Sequence, residues 1–238
     1  MIPRSLLLLV LSCAALVAAN APKKAAKGPL VPERWEATIK QFEEADRERT
    51  PPRGAVLLVG GSNARRWTDV GDYFPRETVL NRGFGGAHLA DVVHYLDRIV
   101  LPYAPKLILL NAGGNDLSSG KSPEAVRDAC RAFLARVRQE LPATRVCHIS
   151  LPPVRRLAGS PESRAIVERT NRLIAELARS EKNFDVIDLF PAFCDAQGQP
   201  RAELFVEDGV HFTAKGYAIV ADLLSARTGL ARTPAGAK

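Results

Sequence analysis

Sulfur and histidine are scarce in this chain, whose 238 residues include four cysteines, one methionine and four histidines. Cys13 falls in an N-terminal apolar run. That leaves Cys130, Cys147 and Cys194, an odd set with no C-x-x-C spacing, which argues against a disulfide scaffold and a cysteine-ligated metal. Cys130 falls on the apolar stripe of a helix and Cys147 inside a strand, so both read as small buried hydrophobes. His88, His94 and His148 each lack a second ligand at paired spacing, and no metal is expected. Beyond residues 6–17 no apolar run approaches the roughly 20 residues needed to cross a bilayer, so the processed chain reads as soluble, without a transmembrane segment. Two common signatures are also missing. Gly83-x-Gly85 lacks the third glycine of a dinucleotide loop, because position 88 is histidine, and Ser62 lacks a Gly-x-Ser-x-Gly elbow, because position 64 is alanine. No cofactor is expected.

What is present begins with an export signal. Arg4 precedes the apolar stretch from Leu6 to Val17, which ends in Ala18 and Ala19, and cleavage after Ala19 satisfies the small-residue rule. Residues 1–19 are therefore read as a signal peptide, 20–30 as a flexible leader carrying Lys23, Lys24 and Lys27, 31–228 as one domain and 229–238 as a loose tail. The expected location is periplasmic or secreted. Lipid attachment at Cys13 is the weaker reading, since Leu11 fits the attachment box poorly and the residues after Cys13 stay apolar. The formal charge of +7 could favour anionic polymers outside the cell. The arginines are scattered through helices and loops, however, and read as solvated faces; no nucleic-acid partner is expected.

From about Ala55, short apolar runs alternate with amphipathic stretches, which predicts βα repeats around a parallel sheet. Strands are predicted over Ala55–Val59, Thr78–Leu80, Leu107–Leu110, Arg145–Ile149 and Asp185–Leu189. Their near-continuous apolar character predicts burial on both faces. Ser122-Pro123 and Ser160-Pro161 each set a cap before a first-turn proline. Val126, Cys130, Phe133, Leu134 and Val137 then recur at helical spacing after the first, and Ile166, Val167, Leu173, Ile174 and Leu177 after the second. Thr213 caps a last helix, and Trp35, Ile39 and Phe42 mark an N-terminal one beginning near Pro32.

Four segments carry chemistry. Gly60-Gly61-Ser62 follows the first strand, where two glycines let the chain turn and expose Ser62 at the carboxyl end of the sheet. Asn81-Arg82-Gly83-Phe84-Gly85-Gly86 follows the second strand and can bring a backbone N–H to a ligand. Gly113-Gly114-Asn115-Asp116 follows the third, and an amide there donates to a developing oxyanion without competing for a proton. Asp208-Gly209-Val210-His211 sits ahead of the last helix, with a carboxylate one turn from an imidazole it can orient. Taken singly, each segment is open to other readings: common turns for the first three, half a metal site or a surface pair for the fourth.

In order, the four segments resemble the GDSL-like, or SGNH, hydrolase family, with Lys215-Gly216-Tyr217 similar to exported bacterial members. The resemblance spans residues 55 to about 225. It implies a three-layer α/β/α sandwich with a five-stranded parallel, flavodoxin-like sheet. It also implies Ser62 as nucleophile, His211 as base, Asp208 as its orienting acid, and an oxyanion hole from the Ser62 N–H, Gly86 and Asn115. Gly61 stands where the family commonly has aspartate, and Asn63 after the nucleophile has no reading from sequence. The implied activity is serine-esterase hydrolysis of carboxylic esters, on short-chain or acetyl esters and acylated carbohydrates. A thioesterase or lysophospholipase with the same triad is the nearer alternative, and a noncatalytic carbohydrate-binding domain the alternative of another class. Trp67, Tyr73 and Phe84 are read as core rather than pocket.

Overall fold

Residues 31–154 and 159–233 are described by a computed structural model, and the fold is that of the unit Pro32–Lys238. The signal and leader readings, and residues 234–238 of the tail, lie outside the described residues. Five strands, β1 Val56–Gly60, β2 Val79–Gly83, β3 Leu107–Asn111, β4 Arg145–Ile149 and β5 Phe184–Ile187, pair in parallel in the order β2-β1-β3-β4-β5. This is the flavodoxin-like order, with its switch point between β1 and β3.

Around the sheet run α1 Glu36–Glu48, α2 Ser62–Arg66, α3 Val70–Tyr73, α4 Leu89–His94, α5 Leu96–Ile99, α6 Gly114–Ser118, α7 Pro123–Glu140, α8 Pro161–Ser180, α9 Phe190–Phe193 and α10 Ala214–Thr228. Successive strand residues face opposite sides. Leu57, Val59, Ile108 and Leu110 pack with Val126, Phe133, Val137 and Ile174 of α7 and α8. Val56, Leu58, Leu107 and Leu109 pack on the other face with Trp67, Val70, Val220 and Leu224. The sheet is thus the middle of three layers, and both its faces are apolar for that reason. No helix among the described residues is long and apolar enough to cross a membrane.

The capping signals act where the sequence sets them. Ser122 Oγ accepts from Ala125 N at 3.2 Å, Ser160 Oγ from Ser163 N at 3.2 Å and Thr213 Oγ1 from Gly216 N at 3.3 Å. Four local expectations are corrected. β2 runs on through Asn81 and Arg82, because neighbours satisfy both side chains: Asn81 Nδ2 donates to Ala64 O and Trp67 O, and the buried Arg82 reaches Asp46 and Tyr103. The Asn81–Gly86 segment therefore begins inside the strand. β5 stops at Ile187, where Asp188 Oδ1 takes the Phe190 N–H at 3.0 Å and turns the chain. In α8 the buried stripe is Val167, Thr170, Ile174 and Leu177, with Ile166 exposed; Thr170 is tolerated because its hydroxyl bonds the Ile166 carbonyl at 2.8 Å. Past α10, Leu230 is buried and Thr233 N donates to Tyr73 O, so the first part of the segment read as a loose tail is held.

Gly60 decides how β1 ends. Its φ is +140°, and a Cβ there would lie 2.0 Å from Asn111 O. Gly60→Ala is expected to lower the unfolding free energy by about 3 kcal/mol or more. Gly54→Ala, at φ +78° with open space around it, is expected to cost about 1 kcal/mol. Urea unfolding with unchanged slope measures both; equal losses would contradict this account of the turn.

Candidate active site

The turn after β1 is bonded to both neighbouring strand exits. Phe84 N donates to Gly60 O and Gly61 N to Asn111 O, each at 2.9 Å. This fixes Ser62 at the carboxyl edge of the sheet, at the switch point and at the first position of α2. A first-turn N–H has no carbonyl within its helix to bond, so the Ser62 amide is an available donor beside its own hydroxyl.

His211 approaches from the far end of the sequence. Its Nε2 lies 2.8 Å from Ser62 Oγ, and its Nδ1 lies 2.5 Å from Asp208 Oδ2. The other carboxylate oxygen, Oδ1, accepts the backbone N–H groups of Val210 and His211, each at 2.9 Å. Partial burial pushes the Asp208 carboxyl up, and the hydrogen bonds from the His211 ring and the two backbone N–H groups outweigh it, bringing the value down to about 2. Asp208 is therefore an anion whose acceptor positions are turned inward, toward its own loop.

Asn63, which had no reading from sequence, ties that loop to α2. Its Nδ2 donates to Val210 O at 3.3 Å and its Oδ1 accepts from Phe212 N at 3.2 Å, one bond on each side of His211. Tyr217 OH donates to Asn63 O at 2.9 Å, so the Lys215-Gly216-Tyr217 segment also bears on this helix. Gly61 has a steric account: a Cβ there would stand 3.0 Å from Asn115 Nδ2. That amide donates to Ala87 O at 3.0 Å, which occupies one of its two N–H groups. Below it, the buried Asp116 takes Lys121 Nζ at 2.8 Å and Leu89 N at 3.1 Å, fastening the Asn115 segment to the start of α4.

Two cavities meet at Ser62 and Asn115. A small one, about 70 Å³, lies toward β3 and β4 and is lined by Asn111, Ala112, Ser150, Leu151 and Val154 among others. A wide one, about 810 Å³, lies toward β2 and α1 and is lined by Gly86, Trp35, Arg65, Arg66, Asp208 and His211 among others. Ser62, Gly86, Asn115, Asp208 and His211 thus all face the wide cavity. Among the described residues, no three His, Cys, Asp or Glu side chains group as metal ligands would.

The family model of the GDSL-like Lipase/Acylhydrolase family matches residues 49–219. The chain belongs to this family. Membership carries hydrolase activity on esters as its broad class. No curated protein sequence matches the chain. Among solved structures, a Streptococcus pneumonia protein provisionally assigned as a platelet activating factor is similar at TM-score 0.71 and 20% identity, over 82% of this chain and 92% of that one. A GDSL-like lipase from Bacteroides thetaiotaomicron gives 0.66 and 19%, over 80% and 96%. A variant of Axe2, an acetyl-xylooligosaccharide esterase from Geobacillus Stearmophilus, gives 0.61 and 13%, over 76% and 97%. At these identities the likeness is one of fold.

Within this GDSL-like hydrolase, Trp67 and Phe84 are buried in the core, Trp67 stacking on Tyr217 at 5.0 Å, and Tyr73 packs edge-on against Trp67. The aromatics that line the wide cavity are Trp35 and Phe42, which the sequence marks only as the core side of an N-terminal helix. Arg65 and Arg66 were also passed over, although they stand three and four residues after Ser62 on its own helix. His148 lies inside the sheet, where burial pushes its ring down to about 4 and keeps it neutral, and its Nε2 donates to Ala112 O at 3.1 Å.

Two outcomes are expected. Asn63→Ala removes both ties to the His211 loop and should lower ester kcat/KM about tenfold with faster amide exchange at Phe212; unchanged exchange would contradict the tie. The Asp208 carboxyl, followed by NMR, should titrate near 2 against an ordinary 3.8. Because the folded value is depressed, its stabilisation of the loop is present above 3.8 and is lost as pH falls toward 2. A midpoint at or above 3.8 would contradict the hydrogen-bonded anion.

Proposed function

We propose that the protein is a serine esterase that removes acetyl and other short acyl groups from bulky polar alcohols, acylated carbohydrates among them, through an acyl-enzyme on Ser62. The observation that carries this reading is the run of contacts from Asp208 through His211 to Ser62 Oγ at the edge of a cavity. In the proposed reaction Asp208 keeps a proton on Nδ1, which leaves Nε2 free to take the Ser62 proton as Oγ attacks the ester carbonyl. Negative charge collects on the carbonyl oxygen, where the Ser62 and Gly86 N–H groups and the Asn115 amide are the proposed donors. Collapse of the tetrahedral species expels the alcohol, which receives the proton from Nε2. A water then gives its proton to the same nitrogen as it attacks the acyl carbon, and the second tetrahedral species collapses to the acid and Ser62 Oγ, which takes that proton back from Nε2.

The direction of proton transfer assigns the two cavities. A leaving alcohol must be within reach of Nε2, and His211 lines the wide cavity but not the small one. The alcohol then belongs in the wide cavity and the acyl group in the small one. The small cavity is about 70 Å³ against about 810 Å³ for the wide one. The smaller space suits an acetyl group better than the long chain of a lysophospholipase substrate. Acetyl esterases of xylan and xylo-oligosaccharide share the fold, but the acetyl preference rests on the cavities. Export, as read from residues 1–19, belongs to the same proposal and is checked by the N-terminus of the protein recovered from cell fractions.

A series of p-nitrophenyl esters tests this reading. Activity should be greatest on acetate, with octanoate about 100-fold lower in kcat/KM. Ser62→Ala should abolish turnover to within about 10⁴-fold of the starting rate or beyond, and Asn115→Ala should cost about 10²- to 10³-fold in kcat with the fold retained. Equal rates on long and short chains would overturn the cavity assignment. Glycan binding with no hydrolysis of any ester would favour a noncatalytic binding domain.

A further inference from the structure

Helix α2 carries Ser62, Arg65 and Arg66, and spacings of three and four residues put such side chains on one helix face with roughly 5–6 Å between Cβ atoms. All three line the wide cavity. Both arginines are exposed, and among the described residues neither has an ion pair with a carboxylate. Many arginines elsewhere are committed: Arg34, Arg82, Arg98 and Arg136 each hold an acidic partner. Among the described residues the one acidic side chain on the cavity wall is Asp208, and both its oxygens are taken by His211 and the backbone of its own loop. The cleft beside the proposed nucleophile therefore carries two arginines against one carboxylate, a net positive wall.

The placement of Arg65 is also specific. A Cβ on Gly85 would fall 2.9 Å from its Nε and 3.1 Å from its Cζ, so the guanidinium lies against the loop that carries Gly86. Trp35, Thr38 and Gln41 of the N-terminal helical segment line the same cavity. A planar fork of donors, beside an aromatic face and amide and hydroxyl groups, is suited to a charged oxygen acid on a polar ring. The low-dielectric wall also focuses the positive field on an incoming anion.

We infer that Arg65 and Arg66 form an anion subsite that recognises a carboxylate or sulfate on the alcohol part of the ester, such as an acetylated acidic sugar. This rests on the proposed esterase reading, and it narrows the substrate from polar alcohols in general to negatively charged ones. The arginines act on binding and choice of substrate and take no part in proton transfer.

The test uses acetate esters of one sugar in three forms: neutral methyl glucoside, methyl glucuronide and methyl glucoside sulfate. The full protein should show kcat/KM about tenfold higher on at least one charged ester than on the neutral one. That ratio should fall toward one in Arg65→Gln/Arg66→Gln and stay intermediate in Arg65→Lys/Arg66→Lys, which keeps charge but not the fork. Whether the carboxylate or the sulfate gains more identifies the anion. A starting ratio of one or less, or a ratio the glutamine pair leaves unchanged, overturns the subsite. If no acetate ester is hydrolysed, p-nitrophenyl acetate included, the esterase reading fails, and the subsite is decided by calorimetry with the unacetylated sugars. Tighter binding of a charged sugar than of methyl glucoside, lost in the glutamine pair, supports it; equal binding of charged and neutral sugars overturns it.

Discussion

The proposed chemistry depends on a 2.8 Å approach between two side chains 149 positions apart, Ser62 Oγ and His211 Nε2. One sits at the exit of an interior strand with bonded neighbours on both sides. The other sits on a loop without regular structure. What holds the loop is redundancy: Val206 N bonds His211 O at 2.8 Å, Thr213 N bonds Leu204 O at 3.0 Å, Phe205 bridges Phe212, and Asn63 grips the chain on both sides of the imidazole. Asp208 adds three further bonds within four residues. Such over-determination lets an irregular segment keep a catalytic geometry without moving into it at the moment of reaction.

A second constraint comes from the sheet order. With β2 on one side of β1 and β3 on the other, the chain diverges at the exit of β1, and the two flanks of Ser62 are built by unrelated segments. The β3–β4 flank is narrow, lined by Asn111, Ser150 and Leu151, and the β2 flank is wide, lined by Gly83, Gly85 and Gly86, by α1 and α2, and by the His211 loop. The imidazole stands on the wide flank. In the proposed reaction, fold topology, cavity size and direction of proton transfer lead to the same division of a substrate into a small acyl part and a large alcohol part. In the inferred subsite, the arginines of α2 give that large part a sign of charge.

Much of the fold was legible because its signals are local. Ser-Pro caps and buried apolar strands state their structure within a few residues, and the helices after Ser122, Ser160 and Thr213 begin where those signals stand. The errors fell where a distant partner decides. Asn81 and Arg82 are poor strand residues until Ala64, Trp67, Asp46 and Tyr103 are in place around them. Ile166 lies beside the α8 stripe and Thr170 within it, a choice that hydrophobicity alone inverts. At the site, the residues named from sequence come together at one cavity because turns and strand ends bring them there. Asn63 and Trp35 could not be read in the same way, since their roles lie wholly in what they touch across the molecule. Arg65 and Arg66 left a fainter signal: their spacing from Ser62 places them on its face once that segment is taken as a helix.

The most direct measurement of the central claim is acid-quenched peptide mass spectrometry of the protein during turnover of p-nitrophenyl acetate. The account predicts one acetyl group on the peptide containing Ser62, at the hydroxyl of that residue, and no such label in His211→Ala. Rapid turnover with the acetyl group on another residue, or undiminished labelling of Ser62 without His211, would contradict it.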